Sequence, residues 1–413
     1  MLKEFCTVSE NEVDDFVGLR FVDGNPQVVF PRGFRLPDDE KLLRRDVFRL
    51  LAAIQKFSGR HEGERPKNDM GEQALSFPVL SYQYIIKDYL AHGYYTEKET
   101  NYIVAPRGKI NWKRTIQKED PQLDNGNIIY LDFIVSRNRI NSNNLLTKIH
   151  EYCVYESFYK IGWLFISSDA LPKKPSIKLN RKLFLSVLRK ELSRTFNDNK
   201  KRLFQCMINI ISQEEESLDE LPQVTFGVER FEYVWEGMIN YVFGEDNREM
   251  YFPHAHWHIV SNHGFSVQSS ELRPDTIAKV EDKIFILDAK YYKYGITRNP
   301  LHLPATDSIQ KQITYGEFVK SNGLADADNI YSAFLMPYNM GEGEQPYKFV
   351  SVGTADWKPY NEYTENYNYV IGILVDTRTL LETYAKHNYT EIVSLCSLIE
   401  ESLQFYRDDA ERR

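Results

Sequence analysis

Two carboxylates and a lysine in the second half of the chain stand at the ends of two short apolar stretches. Asp275 follows Pro274 before the first stretch, and Asp288 and Lys290 follow the second. Residues two apart in a strand point to the same face, so we expect the Asp288 carboxylate and the Lys290 ammonium to lie side by side. Carboxylate pairs hold hard divalent cations, which polarise a phosphate and lower the pKa of a bound water. The pattern predicts metal-dependent phosphodiester hydrolysis, with Lys290 orienting the water or stabilising charge on the phosphate.

Spacing alone does not single out these residues. An acid two places before a lysine also occurs at Asp39, Asp198, Glu281 and Asp356. Only Asp288 has an apolar strand directly before it and a Pro-Asp pair one strand earlier. The polar turn 281–283 between the two apolar stretches predicts a β-hairpin. A solvated hairpin with charged ends is the alternative interpretation.

Pro-Asp at 274–275 followed by Asp-Ala-Lys at 288–290 resembles the PD-(D/E)XK nuclease superfamily. Within it, Ile-Leu-Asp-Ala-Lys-Tyr-Tyr at 286–292 and Arg-Gly-Lys-Ile-Asn-Trp-Lys-Arg-Thr-Ile at 107–116 resemble the LlaJI-type restriction endonucleases, which are related to McrC. The resemblance implies an α/β (α+β) C-terminal PD-(D/E)XK nuclease core, over about 222–395, with a mixed four-stranded sheet flanked by helices. A mixed α+β N-terminal domain is expected before it.

The same resemblance implies a Mg²⁺ site. Its metal ligands are Asp275, Asp288 and the backbone carbonyl of Ala289, and Lys290 assists the water. The family takes a third acid from the helix before the hairpin, and Glu236 stands at the usual place.

Three further residues bear on this assignment. Glu229 and Glu232 are the alternatives to Glu236 on the same predicted helix. Gln312 resembles the Gln/Tyr signature of RecB-like nucleases, in which it would hydrogen-bond a phosphate or brace Lys290. Tyr315 is the matching tyrosine, although the spacing is one residue shorter than the usual form.

The composition is that of a folded globular protein: 413 residues, 42% of them hydrophobic and 27% charged. Cys6, Cys153, Cys206 and Cys396 are scattered, which indicates free thiols in a reducing compartment. Neither a signal-peptide pattern nor an apolar run of membrane-spanning length is present. A cytoplasmic protein without a membrane partner is the expectation.

We divide the chain into a mixed targeting or partner-docking domain (1–142), a helical basic connector (143–221) and the nuclease domain (222–413). An acidic run before Leu221-Pro222 marks the second boundary. Strands are predicted at 16–22, 27–30, 94–95, 101–105, 128–135, 348–356 and 368–375. A loop is predicted at 58–76. Helices are predicted at 42–54, 79–92, 143–166, 173–202, 227–243, 306–320 (capped by Thr306 or Asp307) and 377–406.

The net charge of −8 has the wrong sign for binding DNA through bulk charge, so cations must be concentrated locally. Residues 173–202 hold eleven Lys or Arg against two acids and predict a basic amphipathic helix. We expect it to contact DNA phosphates, and a membrane-surface helix fits less well. Residues 107–118 hold five cations and no acid, which indicates a nucleic-acid or partner contact or a solvated hairpin. The candidate DNA-binding side chains are Arg181, Lys182, Arg189, Lys190, Lys113 and Arg114.

Other motifs are weaker. His254, His256 and His258 alternate, but no Cys or His pair at finger spacing supports a zinc site, so DNA-proximal or loop histidines are preferred. The P-loop pattern is absent, which excludes a P-loop NTPase.

Together these features predict a Mg²⁺-dependent endodeoxyribonuclease subunit of a restriction (phage-defence) system that cuts double-stranded DNA. The McrC resemblance implies a separate McrB-like AAA+ GTPase partner, which we expect to contact residues 1–140 through the hairpin around Asp23-Gly24. An associated DNA methyltransferase is expected in the same system. The alternatives are a standalone sequence-specific type II restriction endonuclease, a RecB-like repair nuclease, and an inactive nuclease-fold scaffold that bridges DNA and a partner.

Overall fold

A computed structural model describes residues 2–9, 16–22, 25–60, 78–124, 127–141, 144–165, 171–213, 225–258, 266–339, 348–356, 365–384 and 389–412. The chain forms two compact units. Unit 1 combines Met1–Phe77 with Leu221–Arg413, and unit 2 is Pro78–Glu220. The first 60 residues therefore fold with the central hairpin, unlike the consecutive grouping expected from the sequence. The three functional domains stay a prediction.

The described strands are β1 (Cys6–Val8), β2 (Val17–Val22), β3 (Asn25–Phe30), β4 (Glu97–Ala105), β5 (Lys109–Ile110), β6 (Gln122–Asp124), β7 (Asn127–Ile129), β8 (Phe133–Asn141), β9 (Phe226–Val228), β10 (His256–His258), β11 (Ser266–Gln268), β12 (Thr276–Val280), β13 (Lys283–Ala289), β14 (Ile330–Tyr338), β15 (Phe349–Ala355) and β16 (Val370–Asp376). The described α-helices are α1 (Glu40–Arg60), α2 (Val79–His92), α3 (Trp112–Lys118), α4 (Leu145–Ile161), α5 (Arg181–Arg194), α6 (Asp198–Gln213), α7 (Phe231–Phe243), α8 (Tyr294–Thr297), α9 (Thr306–Ser321), α10 (Thr377–Tyr384) and α11 (Tyr389–Arg412).

The main sheet of unit 1 has the strand order β12-β13-β14-β16-β15. The predicted hairpin is present as the antiparallel pair β12–β13. Strands β13, β14 and β16 run parallel, and β15 is antiparallel to β16. The sheet is therefore mixed, as expected, but it has five strands and not four. Every residue of β14 and β16 is buried, which is typical of parallel strands covered on both faces.

Helix α9 packs against the sheet through a continuous apolar cluster. Ile277 and Ile286 of the hairpin meet Tyr315 and Val319 of α9 there. Burying one such side chain stabilises the fold by about 1.5–3 kcal/mol. The helix begins at Thr306 as predicted, but Ala305 occupies its N-cap without a side-chain hydrogen bond, so the predicted cap is wrong.

A second sheet, β1-β3-β2-β9, joins the N-terminal hairpin to the segment just before α7. Strand β2 pairs with both β3 and β9. Gly18 has φ +143°, and a Cβ there would lie 2.2 Å from the Phe226 carbonyl oxygen. Because 226–228 pairs as a strand, the helix predicted from residue 227 begins only at Phe231.

Unit 2 combines helices α2, α4, α5 and α6 with the sheet β4-β8-β5 and the hairpin β6–β7. Residues 94–95 precede β4 and are not a strand. The predicted strand at 128–135 is divided between β7 and β8. Residues 107–118 contain α3, because the Asn111 side chain caps it by accepting from Arg114 N at 3.1 Å. The basic stretch 173–202 is not one helix: α5 ends at the extended Thr195, and α6 follows.

Two further expectations concern single features. The predicted loop at 58–76 begins inside α1, and residues 61–76 lie outside the described part of the chain. None of the four cysteines, all of which lie in the described part of the chain, forms a disulfide, as expected, and all four are buried. Among the described residues, no helix is both long and apolar enough to cross a membrane.

A buried ion pair between α1 and α10 provides a stability test. Asp46 has a side chain only 1% exposed and accepts from Arg378 and Arg49 at 3.0 Å each. Because Arg378→Ala leaves the buried carboxylate short of a partner, we expect it to lower the free energy of unfolding by about 3 kcal/mol. Urea denaturation measures the loss. The control, Asp38→Ala, breaks the exposed Lys3–Asp38 pair and is expected to change stability much less, because solvent screens exposed ion pairs. Equal losses in the two variants would contradict a stabilising role for the buried pair.

Candidate active site

The hairpin brings the three predicted charged side chains together. Thr276 is paired with Leu287, so Asp275 lies opposite Asp288 at the end of the ladder. Asp275 Oδ2 accepts a hydrogen bond from Ala289 N at 2.9 Å. Lys290 Nζ lies 2.7 Å from Asp288 Oδ2, and their side chains are only 21% and 13% exposed. The predicted acid–lysine contact is therefore present in the structure.

The backbone at Lys290 is held by the neighbouring strand. Its N–H donates to the Leu335 carbonyl of β14 at 3.0 Å. The same carbonyl accepts from Trp235 Nε1 of α7 at 3.2 Å. One oxygen thus ties the strand end that carries Lys290 to the helix that carries Glu236.

Lys290 carries its proton at neutral pH. Burial alone would lower its pKa, but the charge and hydrogen bond of Asp288, with a smaller contribution from Asp275, raise the pKa above its ordinary value. An ammonium held in this way donates hydrogen bonds and does not accept a proton.

Among the acids considered on or near α7, Glu236 shares surroundings with Asp275. Both line a cavity of about 690 Å³, and the Glu236 charge helps to raise the pKa of Asp275. Glu232 is paired with Arg230 at 2.7 Å. Glu229 is exposed before the helix begins. The structure thus places Glu236, rather than the other two, beside the hairpin carboxylates.

The pKa of Asp275 is raised to about 8 by burial, then by the charges of Asp288 and Glu236. The hydrogen bond from Ala289 N acts in the opposite direction and only partly offsets this. Hard oxygen donors of this kind fit Mg²⁺, which uses one or two carboxylates and keeps several waters. In the described part of the chain, no three His, Cys, Asp or Glu side chains are grouped so that they could hold a metal ion. The donor set therefore fits a partly hydrated Mg²⁺ and not a closed protein cage.

Helix α9 contributes the two residues of the Gln/Tyr signature. Burial, and then the charges of Asp288 and Asp275, raise the pKa of Tyr315 to about 12. Its hydroxyl donates to the Arg273 carbonyl at 3.3 Å. Gln312 lies three residues earlier on the same helix face and is fully buried. Within the described residues, neither of its side-chain amide atoms has a hydrogen-bond partner.

Two arginines of the site were missed by sequence reasoning. Arg248 donates to Asn240 Oδ1 of α7 at 3.0 Å and to the carbonyl oxygen of Asp275, so it ties the helix to the strand. Arg32 borders a second cavity, of about 270 Å³, together with Glu236 and Lys290. No local motif marks either arginine, because the tertiary fold brings them to the site.

The candidate DNA-binding side chains all belong to unit 2, whereas the catalytic candidates belong to unit 1. Phe184 and Leu188 of α5 are buried, whereas its four candidate cations are exposed: Arg181, Lys182, Arg189 and Lys190. Arg181 also donates to the Ser212 carbonyl. Lys113 and Arg114 are exposed on α3, with the Arg114 guanidinium 3.7 Å from the centroid of the Tyr102 ring.

Unit 2 also carries an apolar groove that the sequence did not reveal. The groove has a volume of about 520 Å³ and is lined by Trp112, Ile116, Ile128, Ile129, Tyr130 and Phe133. Trp112, Ile116 and Ile128 are 53%, 61% and 66% exposed. Exposed apolar side chains gathered in this way are typical of an interaction surface.

The three alternating histidines are exposed. His254 Nδ1 lies 3.2 Å from the Phe252 carbonyl, and its ring centroid is 5.2 Å from that of His256. Nothing in the described structure assigns them a metal.

A family model for the LlaJI restriction endonuclease matches residues 16–356. The chain belongs to this family. The resemblance found at 286–292 and 107–116 is confirmed. The LlaJI-family chain is also 25% identical over 256 residues to "Type II restriction enzyme BsuMI component YdjA" of Bacillus subtilis (strain 168). That match covers 59% of this chain and 55% of the relative, so the chain spans about half of the relative's length.

Two solved structures of Thermococcus gammatolerans are similar to this LlaJI-family chain. One is a refined half-complex of McrB AAA+ hexamers with bound McrC, at 16% identity and a TM-score of 0.36, covering 90% of this chain and 81% of that chain. The other is the cryo-EM structure of the McrBC complex, at 17% identity and a TM-score of 0.23, covering 53% and 63%.

The raised pKa of Asp275 predicts how stability depends on pH without metal. Its folded-state pKa of about 8 exceeds the ordinary value of 3.8, so its contribution to stability is complete below about pH 4 and is lost as pH rises through about 8. Asp275→Asn is expected to flatten this decline, which is at most about 1.4 kcal/mol per pH unit. Urea denaturation in EDTA across this range measures it. The control is Asp282→Asn, on the exposed turn of the same hairpin. An unchanged slope in Asp275→Asn would contradict the assignment.

Proposed function

We propose that this chain is the catalytic nuclease subunit of a restriction system and hydrolyses double-stranded DNA with Mg²⁺ on a PD-(D/E)XK core. The observation that carries the proposal is the contact of the Lys290 ammonium with Asp288, beside a second carboxylate whose pKa is raised to about 8. Strongly perturbed ionisable groups gathered beside a cavity are typical of active sites.

Asp275 and Asp288 would hold the metal, with Glu236 and the Ala289 carbonyl as further ligands. Bound Mg²⁺ would polarise the phosphate and lower the pKa of a coordinated water. The Lys290 ammonium, held by Asp288, donates a hydrogen bond to the attacking water or to a phosphate oxygen. In hydrolysis the water oxygen bonds to phosphorus, and the bond from phosphorus to one sugar oxygen breaks. Gln312 braces Lys290 or binds a phosphate oxygen.

The site lowers the stability of the fold, which would bring no benefit to a protein that only binds DNA. Crowded, buried carboxylates repel one another and cost stability when no cation neutralises them. Such local conflicts are expected at functional sites. This favours an enzyme over the inactive scaffold. A standalone type II enzyme and a RecB-like repair nuclease would share the site, and family membership favours restriction over repair.

We place the DNA-backbone contacts on the exposed cations of α5 and α3, on residues Arg181, Lys182, Arg189, Lys190, Lys113 and Arg114. They supply local positive charge in a chain whose net charge is −8. A DNA methyltransferase in the same system would protect host DNA. These assignments, and action in the cytoplasm, follow from the proposed restriction role.

The proposed partner is an AAA+ GTPase subunit. The chain has no P-loop motif of its own, and residues 107–116 resemble the corresponding McrC stretch. These residues lead into α3, where the apolar groove is exposed and flanked by cations. Since β2 and β3 belong to the catalytic unit, we place the docking surface on this groove rather than on the hairpin turn. The turn residues 23–24 lie outside the described part of the chain.

Loss of either member of the acid–lysine pair is expected to abolish cleavage. Asp288→Asn removes a metal ligand, and Lys290→Ala removes the ammonium, so we expect at least about a 10²-fold slower rate for each. Cleavage of cognate plasmid DNA with Mg²⁺, in the presence of the partner and GTP, measures the rate. The matched controls are Asp39→Asn and Lys41→Ala, which have the same spacing on the exposed surface. Full activity in Asp288→Asn would refute the site.

Disruption of the apolar groove is expected to uncouple the chain from its partner. Trp112→Ala with Ile128→Ser removes exposed apolar surface, so we expect at least about tenfold weaker binding to the proposed AAA+ GTPase subunit. Calorimetry measures the affinity, and cleavage with GTP measures the coupling. The control, Leu90→Ser, changes an exposed leucine of α2. Point variants are preferred to deleting residues 1–140, which would remove β1–β3 and α1 from the catalytic unit. Efficient site-specific cleavage without partner or nucleotide would support the standalone enzyme instead.

A further inference from the structure

Arg32, in the turn after β3, is fixed to the residue that follows Lys290. Its backbone N–H donates to Tyr291 Oη at 2.6 Å. Its Nη1 donates to the Tyr291 carbonyl at 3.2 Å. The guanidinium carbon also lies 5.1 Å from the centroid of the Tyr291 ring. Three contacts therefore bind one arginine of the N-terminal hairpin to the end of β13.

The Tyr291 ring packs against two aromatic side chains of α7. Its ring centroid lies 5.5 Å from that of Phe231 and 6.0 Å from that of Trp235, both on α7. Trp235 in turn donates to the carbonyl that accepts from Lys290 N. The Arg32 guanidinium is thus pre-ordered, so binding a ligand there would lose little side-chain entropy.

The cavity bordered by Arg32 is also bordered by Lys290. It has a volume of about 270 Å³, and its charged lining residues are Arg32, Lys290, Glu232 and Glu236. Asp275 borders the larger cavity, and Glu236 borders both. A group in the smaller cavity would therefore lie beside Lys290, with the Glu236 carboxylate between it and the Asp275 side.

A guanidinium suits a phosphate ligand at this position. It has five N–H donors in a planar fork that matches the oxygens of a phosphate, and the Tyr291 carbonyl takes one of them. Lys290 adds a point charge at the same cavity. Glu232 and Glu236 line the same cavity, but Glu232 is already paired with Arg230 at 2.7 Å. Arg32 and Lys290 therefore provide a site for one phosphodiester of a DNA strand.

We infer that Arg32 is a phosphate-binding residue of the active site, and that its guanidinium binds a non-bridging oxygen of the DNA phosphodiester beside Lys290. The inference rests on the proposed nuclease function. It extends the catalytic set to a residue encoded far upstream of the hairpin and makes the N-terminal segment part of the substrate site.

Arg32 could instead serve as a brace for Tyr291, and substitutions separate the two roles. Arg32→Ala removes the charge and the side-chain contacts, whereas Arg32→Lys keeps the charge. Tyr291→Phe removes the acceptor for the Arg32 backbone N–H and keeps the aromatic ring. The matched control is Arg20→Ala. Arg20 belongs to β2 of the same hairpin, lies 5.0 Å from the Phe16 ring centroid and donates to Gln27 at 2.9 Å.

The first experiment measures binding of cognate duplex DNA in EDTA, where cleavage is not needed, over a series of KCl concentrations. Loss of one phosphate contact reduces the log–log salt slope by about 0.9. We expect that reduction in Arg32→Ala, and the wild-type slope in Arg32→Lys, Tyr291→Phe and Arg20→Ala. A wild-type slope in an Arg32→Ala protein with an unchanged melting temperature would overturn the inference and leave Arg32 as a brace.

The second experiment measures Mg²⁺-dependent cleavage by the same variants with the partner and GTP. We expect Arg32→Ala to be slower by on the order of 10²-fold, Arg32→Lys to recover part of the rate, and Arg20→Ala to be unaffected. A wild-type rate in Arg32→Ala would overturn the inference. If the wild type itself does not cleave, the proposed function fails, and the salt slope still decides whether Arg32 binds DNA.

Discussion

Crowding of negative charge at one end of the hairpin is the constraint on which the rest of the catalytic unit depends. Burial, and then the charges of Asp288 and Glu236, raise the pKa of Asp275 to about 8. Left to relax, like charges would move apart or be solvated. They stay close because the fold fixes each of them. Ala289 N donates a hydrogen bond to Asp275, Lys290 forms an ion pair with Asp288, and Glu236 is part of helix α7.

The supports of the site converge on a few backbone carbonyls. Leu335 O receives the Lys290 N–H and the Trp235 indole, and Asp275 O receives Arg248, which also binds Asn240. Together these bonds link the hairpin, α7 and the buried strand β14. A rigid, almost fully buried sheet can hold such bonds in place, whereas a solvated loop would not. The face that carries Asp275 and Asp288 is therefore positioned by backbone geometry more than by its own side chains.

The parts of the site that lie close together in the sequence could be predicted from it. The contact of Asp288 with Lys290 is predicted by strand alternation and by the polar turn before them. Both signals are local, because a hairpin forms between residues that are close in the sequence. The wrong predictions have non-local or competing causes. Residues 226–228 pair with β2 instead of extending α7, and the Asn111 cap makes a helix in the stretch for which a solvated hairpin was one interpretation. Arg32 could not be identified from the sequence, because no pattern near it indicates its contact with Tyr291, which lies far away in the chain.

The path of the chain explains why the surface of unit 2 can change without affecting the candidate active site of unit 1. The chain first forms β1–β3 and α1 of unit 1 and then forms unit 2. It re-enters unit 1 at β9, which pairs with β2. Unit 2 is thus an insertion in the sequence of unit 1. The strand that follows the insertion is fixed to β2 by the pairing of Gly227 with Gly18. A Cβ on Gly227 would lie 2.4 Å from the Val17 carbonyl oxygen, so this junction tolerates little change. Helices α3 and α5 belong to unit 2, whereas every strand of the catalytic sheet belongs to unit 1. The exposed cations and the apolar groove of unit 2 are therefore able to diverge while the carboxylates keep their geometry, because surface positions of an insertion carry little of the stability that the core requires.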